Sequence, residues 1–312
     1  MDWLLISTIA YLILAFVNVV DKFILKSVVP GPKTYTFLVG VTGLVVVLAA
    51  PWFLHWPGLS MLLFDFLAGA FFAGGLFYLY SALKEGEASR IFTMVGGAVP
   101  IFTVLLSLLF FKEAFTGNQW TAIVFLILGT MVISRIVGQH DILFYIKRFL
   151  HFEDDNKWHS AGLAIVSALM FALFWVATKY AYNPQEFASA FIWIRIGTFL
   201  TVLVLLIKKE SRDEIFAEIK NSNKQKNNKY IYMGAQGFGA LGTILQNYAV
   251  SLGSVALVTS LQGLQYGLLL VFTTIGSILL PKIIKEDMSK SIVIQKALSI
   301  ILIGIGLYFL AI

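Results

Sequence analysis

The sequence predicts an all-α integral membrane protein, with ten transmembrane helices arranged as two inverted five-helix repeats. Three observations predict it. The 312 residues are 59% hydrophobic and 13% charged, where a soluble domain would carry about a quarter charged residues. The charges gather between ten long apolar runs. The pattern of five runs is also written twice. Ala82 stands before Gly86 as Ala249 stands before Gly253, Lys112-Glu113 and Lys285-Glu286 close the runs that follow, and Gln119 and Gln295 open the fifth and tenth runs. Five is odd, so a second copy of five bilayer-crossing segments must enter from the opposite side.

The ten runs are 3–22, 34–54, 61–83, 89–111, 118–138, 159–182, 186–207, 230–252, 254–280 and 292–312. Each has about 20 residues or more, and at about 1.5 Å per residue that crosses a hydrocarbon core about 30 Å thick. Helices are expected because each segment must satisfy its own backbone in lipid. Run 1 contributes Asn18 and ends at Asp21-Lys22 without a small-residue cleavage site, so it reads as a permanent span and not a signal peptide. Run 3 sets Gly74, Tyr78 and Ala82 on one stripe, and its Asp65, a turn inside, reads as interfacial. Run 4 carries Thr93, Gly96, Gly97 and Pro100, which predicts a kink near midspan.

The segment 141–152 puts Ile142, Tyr145, Ile146, Phe149 and Leu150 on one helical face, with Lys147, Arg148 and His151 on the other. That pattern predicts an interfacial helix, a plain linker being the alternative. Residues 1–138 form the first repeat, 139–158 the linker and 159–312 the second repeat. Run 6 adds Trp175 and Thr178. Run 7 holds Arg195, where copy one has Leu38 at an offset that also aligns Lys22 with Lys179. The Asn/Lys tract ending the charged segment 208–229 reads as a flexible solvated loop. Run 8 offers Gln236, Gln246 and Asn247, with Gly237, Gly239 and Gly242 permitting close packing or bending. Run 9 spaces Thr259, Gln262, Gln265 and Tyr266 by three and four, largely on one helical face. Its Gly263 and Gly267 frame a small-residue packing motif.

Several function classes are excluded. No cysteine is present, which removes disulfides and thiolate metal sites. The four histidines lack metal-ligand spacing, and Glu153-Asp154-Asp155 has no partner motif. Gly237, Gly239 and Gly242 match a dinucleotide fingerprint by letter, but they lie in an apolar run with no preceding strand. The net charge of +6 is scattered between spans, which is no nucleic-acid signature. No enzyme, metal or cofactor is predicted.

Polar side chains in lipid tend to face a bundle interior or a water-filled path. A substrate cavity is therefore expected between spans 1, 3, 4, 6, 8 and 9, lined by Asn18, Tyr78, Thr93, Trp175, Gln246, Asn247, Thr259, Gln262, Gln265 and Tyr266. Each has a second reading as an interhelical packing group. Arg195 reads either as the holder of a carboxylate or phosphate or as a structural charge. No Glu lies deep in a span, so the residues do not support proton coupling. Basic residues concentrate after odd-numbered spans, which places those loops in the cytoplasm and both termini outside.

The stretch Ala82-Leu-Lys-Glu-Gly-Glu-Ala-Ser-Arg, continued by Gly96-Gly97, Pro100 and Phe111-Lys112-Glu113, resembles the repeat of the EamA family in the drug/metabolite transporter superfamily. Gly129 fits the glycine of the repeat's last helix, as do Gly304 and Gly306 in copy two. Arg195 is similar to the arginine of its second helix, which copy one lacks. Copy two has Gly263-Leu-Gln-Tyr where the proline stands. The resemblance implies a ten-helix carrier of small polar metabolites such as amino acids, working by alternating access in the plasma membrane of a prokaryote. It also implies cytoplasmic termini, against the lysine distribution, and the orientation stays open. The partners implied are a small-molecule substrate and the lipid bilayer, with monomer or homodimer open. The alternatives are a flippase for a lipid-linked metabolite and a non-transporting membrane protein.

Overall fold

A computed structural model describes residues 2–24, 31–86, 88–136, 155–222, 229–279 and 290–312. The expected interfacial helix at 141–152, the tract 223–228 and the Lys285-Glu286 pair lie outside the described residues. Within them the chain is helical, with no strand. The helices are α1 (Asp2–Ile24), α2 (Pro32–Gly43), α3 (Ala50–Phe53), α4 (Leu59–Glu85), α5 (Ala88–Phe111), α6 (Gly117–Ile136) and α7 (Asp155–Tyr182). They continue as α8 (Phe187–Leu203), α9 (Lys209–Ser222), α10 (Lys229–Leu252), α11 (Val255–Ser260), α12 (Gln262–Leu279) and α13 (Lys290–Ala311). Among the described residues, eight helical stretches are long and apolar enough to cross a membrane, and α6 adds a shorter one, Gly117–Val132.

Breaks in the helices lie in spans 2 and 9, while α5 runs through Pro100 as one helix. In span 2 a 3-10 turn (Leu44–Ala49) separates α2 from α3. Pro51 has no N–H to offer the Val47 carbonyl, and that oxygen accepts from the Ala50 N–H instead. In span 9 the helix yields at Leu261. Thr259 Oγ1 donates to Val255 O (2.9 Å) and Ser260 Oγ to Ala256 O (2.7 Å), competing with the backbone ladder. The Leu264 N–H then closes a tight turn on Leu261 O at 2.9 Å.

Two terminal devices involve sequence-prominent charges. Lys112 ends α5 with φ of 50°, the left-handed geometry that stops a helix. Next to it, Glu113 accepts from the Ser254 hydroxyl (2.7 Å), and Ser254 caps α11. The charged residues after span 7 form α9, whose Glu218 accepts from the Gly31 N–H at the start of α2 (2.9 Å) and whose Glu214 pairs with Lys33 (2.7 Å). A carboxylate at a helix N-terminus is favoured by the helix dipole.

The helices group into two compact units that cut across the halves of the sequence. Unit 1 comprises residues 1–28, 108–155 and 228–312, and unit 2 comprises 29–107 and 156–227. In unit 1, α1 packs on α10 and α12, while α6 packs on α13 and α12. In unit 2, α4 and α2 pack on α8, and α7 packs against α4 and α5 through Ala164, Ala168, Leu79, Ile91, Val95 and Val99.

The internal contacts of the two units repeat each other. In unit 2 a methyl group at Gly75 would come within 2.8 Å of the Phe171 ring, and one at Gly86 within 2.9 Å of Ser160 Oγ. In unit 1 a methyl at Gly242 would come within 2.8 Å of Leu14, and one at Gly253 within 2.7 Å of Trp3. Gly242 and Gly253 each lie 167 positions after Gly75 and Gly86, and Phe171 and Ser160 each lie 157 after Leu14 and Trp3. Helix α1 therefore meets α10 in unit 1 as α7 meets α4 in unit 2.

Within unit 1, α6 and α13 pack reciprocally. A methyl at Gly129 would press on Ile303 Cγ1 (2.7 Å) and Ser299 O (3.4 Å), and one at Gly306 on Leu126 Cγ (2.7 Å) and Ala122 O (3.2 Å). The contact order runs upward on one helix and downward on the other. The pair is therefore antiparallel about a local two-fold axis lying across the helices. Its register is 177 positions, one more than Gln119 and Gln295 suggest. Of the two candidate glycines in copy two, Gly306 fills this notch, while Gly304 has no neighbour within 4 Å.

Candidate functional site

Unit 1 gathers the amides and phenols. Tyr11, on α1 and 0% exposed, donates its hydroxyl to Val258 O (2.7 Å) and accepts from Gln246 Nε2 on α10 (3.1 Å). One phenol thus ties α1, α10 and the short helix α11. On α12, Gln262 Nε2 donates to Tyr266 Oη at 3.3 Å. Gln265 and Asn18 are half-buried. Asn247 and Thr259 are buried and bond their own helices, Asn247 Nδ2 to Thr243 O (2.9 Å) and Thr259 Oγ1 to Val255 O.

The unit 1 glycines divide. Gly242 seats Leu14, and Gly263 presses against Thr130 and Leu126 O. A methyl at Gly267 would meet Ile303 Cδ1 at 3.1 Å, one at Gly239 would stand 3.5 Å from Val17, and one at Gly237 would meet nothing within 4 Å.

Position by position, unit 2 fills the equivalent space with hydrocarbon. At the same 167-residue spacing Gln246, Val258, Gln262 and Tyr266 correspond to Leu79, Ile91, Val95 and Val99, and at 157 Tyr11 corresponds to Ala168. Leu79, Ile91, Val95, Val99 and Ala168 all belong to one buried apolar cluster. Tyr11 escaped the sequence reading because a lone tyrosine in an apolar run looks like core. Reading it against Ala168 would have exposed it.

Unit 2 carries the other predicted residues. Tyr78 is half-buried on α4, with its ring 5.7 Å from Phe77. Trp175 on α7 lies 4.8 Å from the Phe174 ring and packs on the apolar cluster. A methyl at Gly74 would stand 3.6 Å from Met170 Sδ, and Gly96, Gly97 and Pro100 are buried in α5. Thr93 lies on α5, with its side chain outside the described set.

Two charges stand inside unit 2. Asp65 is 0% exposed and both its oxygens accept from Gln185 Nε2 at 3.2 Å. The glycine crossing of α4 and α8 beside it, Gly69 against Gly197, draws the backbones together and encloses the carboxylate. Arg195 is 7% exposed, its guanidinium carbon 5.0 Å from the Phe72 ring centre and 4.9 Å from that of Phe191. A central membrane arginine costs about 2.5–3.5 kcal/mol on insertion scales, and a cation–π contact returns about 0.5–2 kcal/mol. Two ring faces can therefore hold this charge without a carboxylate. Among the described residues, no three His, Cys, Asp or Glu side chains gather as a metal would require.

Comparisons with known proteins agree with this architecture. Residues 1–135 match the model of the EamA-like transporter family. No curated protein matches the chain. A solved structure titled "Crystal structure of protein" is similar with a TM-score of 0.64 at 15% identity, covering 99% of this chain and 96% of that chain. At that identity the likeness is one of fold. That family is one of transporters, and the apolar helices make this a multi-pass integral membrane protein. Over residues 1–135 the chain is thus similar to the EamA-like transporter family, which is part of the drug/metabolite transporter superfamily.

Proposed function

We propose that the protein is a secondary carrier of small polar metabolites, amino acids among them, working by alternating access through ten spans in two inverted repeats. The observation that carries the reading is the substitution of Tyr11, Gln246, Gln262 and Tyr266 in unit 1 for Ala168, Leu79, Val95 and Val99 in unit 2. At these positions the same helix triple packs with hydrocarbon, its α7–α4 side-chain bond being Ser167 Oγ to the Gly75 carbonyl (2.8 Å), so its assembly does not require these four polar groups. An intramembrane side-chain hydrogen bond contributes about 0.6 kcal/mol on average, while an unpaired buried amide costs about 1–3 kcal/mol. Polar groups retained at such sites fit a solute that takes over their hydrogen bonds.

Tyr11 and Gln246 would exchange their mutual bond for bonds to the solute, and Gln262 and Tyr266 would do the same one helix away. The break at Leu261 lets α11 and α12 move separately, and the antiparallel reciprocity of α6 and α13 supports inverted copies exchanging roles in the cycle. A prokaryotic plasma membrane fits the family.

Flux of labelled amino acids into liposomes containing the purified chain tests the reading. Saturable flux in the wild type, with at least about a tenfold loss of kcat/KM (about 1.4 kcal/mol) in Gln262→Ala and Gln265→Ala, is the expected result. Unchanged flux in folded, inserted variants would sink the assignment of the site.

A further inference from the structure

Arg195 is the charge in the described residues whose surroundings least explain it. Its stem lies along α2 where that helix loosens, with Gly43 leaving it room: a methyl there would stand 3.6 Å from Arg195 Cδ. Its head lies between the rings of Phe72 and Phe191, with the buried Tyr182 near enough to act on it electrostatically. Ring faces compensate charge, but they offer no lone pairs to five guanidinium N–H donors. The ion pairs found among the described residues join Lys33 to Glu214, His55 to Glu186 and His159 to Glu85, and Arg195 is in none of them. The buried carboxylate of the same unit, Asp65, is engaged by Gln185. Leu38 occupies the equivalent place in copy one.

We propose that Arg195 is an oxyanion receptor, holding a carboxylate or phosphoryl group of a small organic solute through paired N–H···O bonds. A guanidinium presents a planar fork that matches two oxygens of such a group. Phe72 and Phe191 hold the fork in plane and keep water from its faces, which strengthens an ionic bond made at its edge. The inference rests on the carrier reading in one respect: it takes the oxyanion to belong to the transported solute.

Thermal unfolding of the full chain in detergent, titrated with benzoate, with methyl phosphate and with uncharged benzamide, tests this. The wild-type midpoint should rise saturably with at least one oxyanion and not with benzamide. Arg195→Leu, which copies the residue of the other repeat, should lose the response. Arg195→Lys should need about tenfold more ligand, because an ammonium lacks the fork. A response to benzoate alone names a carboxylate and one to methyl phosphate alone names a phosphoryl group. Silence toward both oxyanions, or an equal response in Arg195→Leu, overturns the proposal. If Arg195→Leu does not fold, Arg195→Lys decides: an unaltered titration overturns the proposal. The carrier reading fails separately. An Arg195-dependent midpoint shift without flux of any solute keeps the receptor and removes the carrier. Solute flux unaltered by Arg195→Leu keeps the carrier and removes the receptor.

Discussion

Unit 1 and unit 2 build the same helix contact and put opposite chemistry behind it. In unit 1 the notch of Gly242 takes Leu14, and a turn away Tyr11 reaches Gln246 and the Val258 carbonyl. In unit 2 the notch of Gly75 takes Phe171, and the equivalent places hold Ala168, Leu79 and Ile91. Within unit 2 the two copies differ as well, Arg195 standing where copy one has Leu38. Duplicated segments share what the fold needs and differ in what it does not need. The glycine notches belong to the first kind, while the amides, the phenols and the arginine belong to the second. In lipid this separation is clean, because close packing holds helices together where no hydrophobic drive exists between them.

The comparison breaks most readily at the shared element. Gly69 crosses α8 so closely that a methyl would strike Ile194 O and the Gly197–Thr198 backbone. Gly69→Ala should cost about 3 kcal/mol or more, seen as loss of monodisperse protein or a large drop in unfolding midpoint. The reciprocal pair of unit 1 comes next. Gly129→Ala and Gly306→Ala should each cost about 1–3 kcal/mol. Double-mutant cycles with Ile303→Ala and Leu126→Ala should give equal couplings within about 0.5 kcal/mol, the additivity error, and unequal couplings would refute the local two-fold.

A smaller effect sharpens the contrast between the units. Tyr11→Phe should cost about 0.6–1.7 kcal/mol, and adding Gln246→Leu, as in unit 2, should recover the part owed to the unpaired Gln246 amide but not that of the Val258 carbonyl, which still lacks the hydroxyl. Flux should stay lost in the double variant, and restored stability with restored flux would make the pair structural. The smallest change is expected at Gly237, which touches nothing within 4 Å. Gly237→Ala should stay within about 0.5 kcal/mol of the wild type, and a larger loss would mean the site is packed.

Much of the fold was legible because it follows from local chemistry. Ten apolar runs have described helices at their places, including α10, whose polar residues lower its hydropathy. The Ala82/Gly86 and Ala249/Gly253 spacing located the notches, and the offset that aligns Lys22 with Lys179 is the one by which α7 repeats the contacts of α1. The span 2 break was missed although Pro51 and the missing donor it imposes were visible. The α6–α13 register was off by one because polar helix starts tolerate sliding while a glycine notch does not.

The site was less legible. Gln246, Gln262 and Tyr266 were found by helical spacing, yet Asn247 and Thr259, equally polar, bond their own helices. Sequence spacing assigns a face but not which hydroxyl or amide turns back on its own backbone. The sequence by itself determined the helical membrane class and the set of polar side chains, since these depend on composition and period. Only the tertiary structure decided that Tyr11 joins the amides and that Asp65 is enclosed. It alone decided that Arg195 faces rings and that the units mix both repeats. Those facts depend on which segments approach to contact distance, and in this protein glycines far apart in the chain set that distance.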